Sequence, residues 1–138
     1  MKKHFLILLL FNGIALADNR LTFPSDYKKG VMYEQVKRGN VIEDIYAPQA
    51  AIKALQQSGK LPDSTIIAME EYANEKGQKG KINRIIVMKK VGTNWQFDSF
   101  DAKGKLNRSE NPNRCYSCHK DSIAGEDIVF TLDKMKSF

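Results

Sequence analysis

Histidine, cysteine and tryptophan are scarce in this chain: its 138 residues carry two, two and one of them. Two cysteines cannot build a disulfide framework, and a four-ligand structural zinc site would have to borrow a carboxylate. No internal repeat, low-complexity stretch or interdomain linker interrupts the sequence. A concentrated Lys/Arg stripe is also missing, and nucleic-acid binding needs one. Lys28-Lys29, Lys37-Arg38 and Lys89-Lys90 are scattered and read as solvated faces. The main apolar run, Phe5 to Ala15, is shorter than the roughly 20 residues that span a bilayer.

That run reads as an export signal. Met1-Lys2-Lys3-His4 is a basic leader, and Ala15-Leu16-Ala17 fits the small-x-small rule, so cleavage is expected after Ala17. No cysteine follows the cleavage site, which argues against a lipoprotein anchor. The expectation is a periplasmic protein, free of the membrane after cleavage, with residues 18–138 as a single domain. Losing Lys2 and Lys3 takes the formal charge from +6 to +4, a mildly basic surface.

Both cysteines and one histidine fall together in Cys115-Tyr116-Ser117-Cys118-His119. This is the spacing that covalent attachment of a c-type haem requires. Two thiols add across the porphyrin vinyl groups, and the next residue sets an imidazole beneath the iron. His4 lies in the leader, so the mature chain has one imidazole, and the second axial face of the iron is open or held by something else. A thioredoxin-like motif would follow a strand at the start of a βαβ unit, whereas this pair sits near the C-terminus after a loop. A structural disulfide would not call for the histidine. One haem c is therefore expected, attached through Cys115 and Cys118 and ligated by His119.

The coarse pattern is helix, strand, helix, several strands, then helices. Asp26 to Arg38 reads as a first helix, capped by Ser25 and closed by Gly39-Asn40. Val41 to Tyr46 is a β-branched strand, and Pro48 to Ser58 a helix with Ala51, Ile52 and Leu55 along one side. Thr65 to Tyr72 is a strand, Asn74 to Lys81 a polar hairpin loop, and Ile82 to Val91 and Asn94 to Phe100 two further strands. Short connections favour an antiparallel sheet. Residues 114–121 and 126–136 complete the chain as helices. The fold class is α+β.

The chain resembles the cytochrome P460 family, which includes the beta-type cytochromes c′. Phe23-Pro24-x-x-Tyr27, Ile45-Tyr46-Ala47 with the helix after it, and Gly59-Lys60-Leu61-Pro62-Asp63-Ser64-Thr65 resemble family elements in order. In the last of these Ser64 stands where the family has Gly. Val87-Met88-Lys89, Trp95-x-Phe97, and the haem motif with Asp127-x-Val129-Phe130-Thr131 continue the match. The resemblance implies an antiparallel sheet packed with helices, haem c between the sheet and the C-terminal Cys-x-x-Cys-His helix, a five-coordinate iron, and a homodimer. The hydroxylamine-oxidising branch cross-links a lysine, from the strand after the Gly-Thr turn, to the porphyrin. Here Met69 stands at that position, and no lysine lies between Lys60 and Lys76. The beta-type cytochrome c′ branch is favoured accordingly.

Other candidates are weaker in sequence. Met69 reads as packing beside the haem edge or as an axial ligand; a cross-link through its thioether is unsupported. Trp95 and Phe97 share one strand face and Phe100 points the other way; they pack the core or cap the open iron face. Glu70 and Glu71 are candidate proton acceptors, or else ordinary solvent-facing strand residues. Arg114, directly before Cys115, and Arg84 are candidate partners for haem propionates. Two functions are expected. One is binding of nitric oxide or a similar small ligand, or one-electron transfer with a redox partner protein. The other is oxidation of hydroxylamine or nitric oxide.

Overall fold

The computed structural model describes residues 19–138. The expected signal peptide lies outside these residues. Five strands form one antiparallel sheet in sequence order: β1 (Val31–Arg38), β2 (Val41–Ala47), β3 (Ile66–Glu75), β4 (Gln78–Val91) and β5 (Asn94–Phe100). Helix α1 (Gln49–Ser58) joins β2 to β3, and α2 (Pro112–Ser122) and α3 (Leu132–Lys136) follow the sheet. The fold is α+β, as expected. None of the described helices is long and apolar enough to cross a membrane.

The first helix expected from sequence is instead a strand. Only Tyr27–Lys29 makes a turn of 3-10 helix, with no side-chain cap from Ser25 or Asp26, and Val31–Arg38 pairs with Val41–Ala47. The Gly39-Asn40 stop signal is a hairpin turn, and tertiary pairing overrides the local helical reading. Gly30 is needed for this entry. A Cβ there would stand 2.5 Å from the carbonyl oxygen of Ala47, a backbone atom that cannot move aside. Gly30→Ala is therefore expected to cost about 1–3 kcal/mol, read as a lowered midpoint in urea unfolding.

Two more expectations need correction. The Asn74–Lys81 loop shrinks to Lys76-Gly77, with φ of 55° and 90°, because a two-residue turn with both φ values positive matches the twist of its strands. The ladder runs on to Glu75 and Gln78. Near the C-terminus only Leu132–Lys136 is helical; residues 126–131 are not, and side-chain and backbone contacts of this segment go to the rest of the fold. Pro48 caps α1 rather than starting it, and Gly59 ends it in the left-handed conformation. Ser64 also has a positive φ, 63°, which gives the reason a glycine suits that turn.

Alternation along the strands divides the side chains between two faces. One face buries Tyr33, Ile45, Ile67, Met88, Trp95 and Phe97 against α1, α3 and the Ile128-Val129 segment, with Met69, Cys115 and Tyr116 at its margin. The other carries Ala68, Ile85, Val87 and Phe100 under the N-terminal segment of Leu21, Phe23 and Tyr27. Everything that concerns the Cys-x-x-Cys-His motif happens on the first face.

Candidate functional site

Helix α2 is started by Asn111, whose side chain accepts from the backbone N–H of Asn113 at 3.0 Å, with Pro112 in the first turn. Cys115, Cys118 and His119 are spaced i, i+3 and i+4, so a helix brings them to one side. Both thiols are free. Cys115 is half-buried and Cys118 exposed. Burial pushes the Cys115 thiol up, reinforced by Glu110, so it stays protonated.

His119 is held in one tautomer. Its Nδ1 lies 2.7 Å from the Ile128 carbonyl oxygen, which can only accept, so Nδ1 carries the proton and the lone pair sits on Nε2. Phe97 and Phe130 pack on the ring at centroid distances of 4.8 and 4.6 Å. Burial lowers the pKa of the imidazole, and the Ile128 carbonyl offsets only part of this, so the ring is neutral near pH 7. A neutral imidazole with one nitrogen anchored and the other free is a ready metal ligand. Among the described residues, no three His, Cys, Asp or Glu side chains converge to hold a bare metal ion.

Strand register supplies the facing wall. Ile45, Met69 and Ile86 are cross-strand neighbours in one row, and Glu43, Glu71 and Arg84 in the next. Met69 is half-buried against the core that Cys115 joins. Arg84 pairs with Glu71 at 3.1 Å and with Glu110, and its Nε is buried without a hydrogen-bond partner. Arg84, Glu71, Arg38, Val41 and Asn83 line a cleft of about 480 Å³. Two thiols, a metal-ready imidazole, an apolar wall and a cation with a spare N–H fit a haem with its carboxylates. When bound, haem supplies an iron that takes small ligands and cycles between two oxidation states.

The remaining sequence candidates separate. Glu70 and Glu71 are consecutive on β3 and so lie on opposite faces; only Glu71 shares the face of Met69. Glu70 is buried on the other side, accepting from Tyr27 at 2.5 Å and Tyr72 at 2.6 Å, so it does not face His119. Trp95 is a core residue whose indole N–H donates to the Glu126 carbonyl at 3.2 Å. Phe97 meets His119 itself. Arg114 is exposed on α2. Sequence reasoning did not single out the Ile128 carbonyl, because a main-chain acceptor leaves no mark in residue type. The reading of Lys89-Lys90 as a solvated face is corrected at Lys90, which is buried and pairs with Asp127, 37 positions away, a contact no local pattern marks.

A sheet flanked by a helix that presents two thiols and one oriented imidazole is an α+β fold with a site that fits haem. The family model for cytochrome P460 matches residues 24–131. The chain therefore belongs to the cytochrome P460 family, whose membership implies a haem cofactor. No curated protein matches it.

Proposed function

We propose that this chain is a periplasmic mono-haem c-type cytochrome that binds nitric oxide or a similar small neutral ligand and exchanges single electrons with a redox partner protein. Cys115 and Cys118 hold the porphyrin by thioether bonds, and His119 ligates the iron. One observation carries the reading: the anchored Nδ1 of His119 leaves Nε2 for a metal, and it is the sole imidazole among residues 19–138. Met69, Ile45 and Ile86 offer an apolar wall that favours neutral diatomics over anions. A cleaved leader ending at Ala17 and a homodimer, the latter implied by the family, belong to the same proposal.

A second reading, oxidation of hydroxylamine or nitric oxide, is favoured by Glu71. It shares a face with Met69, and Arg84 holds it in place as a proton acceptor. Against it, Met69 lacks the nucleophilic nitrogen of the cross-linked branch.

The deciding experiment is the absorption spectrum of the dithionite-reduced holoprotein. A broad high-spin spectrum that sharpens on adding nitric oxide is expected. Sharp low-spin bands without added ligand would overturn the open site and point to Met69 ligation; a strongly red-shifted Soret band would restore the oxidase reading. Met69→Leu is expected to leave the spectrum unchanged, since the thioether packs; conversion from low to high spin would show it to be a ligand.

A further inference from the structure

Lys90 is among the largest fully buried side chains of the described residues, 2% exposed, on the sheet face that packs against His119. Its ammonium has three acceptors at 2.7 Å: the Leu61 carbonyl, Asp127 Oδ1 and Glu126 Oε1. Asp127, 6% exposed, uses its other oxygen to accept from the Leu61 backbone N–H at 2.8 Å. A buried ammonium and carboxylate are kept only when their geometry is closely satisfied, and here each donor and acceptor is matched. The residue after Asp127 is Ile128, whose carbonyl receives the Nδ1 proton of His119. Trp95 pins the same segment through the Glu126 carbonyl. A non-helical stretch is thus held on three sides immediately beside the one hydrogen bond that orients the imidazole.

We infer that Lys90 and Asp127 form a clamp that positions the Ile128 carbonyl against His119 and so sets how strongly the imidazole donates to a metal. The inference rests on the haem reading above. A well-aimed acceptor on Nδ1 makes the ring more basic and strengthens its bond to iron, and partners of this kind tune metal sites as much as the ligands do. Lys90 and Asp127 are positioning residues; neither touches the iron.

The test uses the full-length protein matured in a strain that attaches haem c. Lys90→Met and Asp127→Asn are each expected to lower the iron–histidine stretching frequency in the ferrous resonance Raman spectrum and to raise the midpoint potential. Lys90→Arg, which keeps a charged donor, is expected to stay closer to the parent in both. A lowered melting temperature with unchanged frequency and potential, or shifts of the opposite sign, would overturn the clamp and leave a purely structural ion pair. If the buried variants do not fold, Glu126→Gln removes only the charge of the outermost acceptor. It should then give a smaller shift in the same direction, and no shift would overturn the proposal. Parent protein without haem, or a parent spectrum unchanged by His119→Ala, sinks the functional reading and the clamp with it. A normal parent with unshifted variants sinks the clamp alone.

Discussion

Replacing Cys115 and Cys118 together by alanine is expected to abolish covalent haem, leaving a polypeptide from which acidified acetone extracts all the porphyrin. The two thiols are the only cysteines in the chain, so no other side chain can form a thioether. What remains is the coordinate bond through His119 Nε2, which fails once acid protonates the imidazole. Each single variant should keep one thioether and stay unextractable. The loss should also loosen α2, which has no fully buried residue of its own. Limited proteolysis after Arg114 or Lys120 should then be faster than in the parent. Haem that stayed with the denatured double variant would refute the attachment.

Glu70→Gln is expected to destabilise the fold by about 3 kcal/mol, the upper end for hydrogen bonds to a charged group. Glu70 is 1% exposed and accepts from the hydroxyls of Tyr27, Tyr72 and, at 3.4 Å, Tyr46, while the Lys28 ammonium stands 2.6 Å away. A glutamine offers one acceptor oxygen and adds two donors among groups that are already donors. Burial by itself would raise the carboxyl pKa; Lys28 and the tyrosine hydroxyls outweigh it and hold it below the ordinary value. Burial and the same carboxylate push Tyr27 and Tyr72 up, so both phenols remain protonated donors. A depressed folded-state pKa contributes stability that is fully present above the unfolded-state value, near 4.3, and is lost as pH falls through the lower folded-state value. The parent should therefore lose stability on acidification more steeply than Glu70→Gln does. Urea unfolding of both proteins between about pH 6 and pH 3 measures this. Parallel pH profiles would mean that the Glu70 carboxyl has the same pKa in the folded and unfolded protein, and would overturn the depressed value.

The two glutamates show how far residue type reaches. Adjacent carboxylates on a strand look equivalent in sequence, yet period-2 alternation sends Glu70 to three tyrosines and Glu71 to Arg84. The spacing of Trp95, Phe97 and Phe100 was legible because alternation within a single strand is local. Which cluster each residue joins was not, because Phe97 meets His119 from 22 positions away. The stretch from Asp26 to Arg38 misled for a related reason: a hairpin partner, Val41–Ala47, overrode its helical appearance. Ser64 marks the middle ground, where the departure from glycine was readable and the strained backbone behind it was not.

Sequence by itself determined the haem-type motif, the antiparallel sheet and the likeness to the cytochrome P460 family. These depend on spacing, alternation and the identity of single residues, all carried within short stretches of chain. Only the tertiary structure decided which carboxylate shares the face of the motif, what orients His119, and why a lysine is buried at position 90. Each of those is a contact between strands or loops far apart in the chain. Such contacts are set by register and by the need to satisfy buried polar atoms, and neither can be read until the elements are packed together.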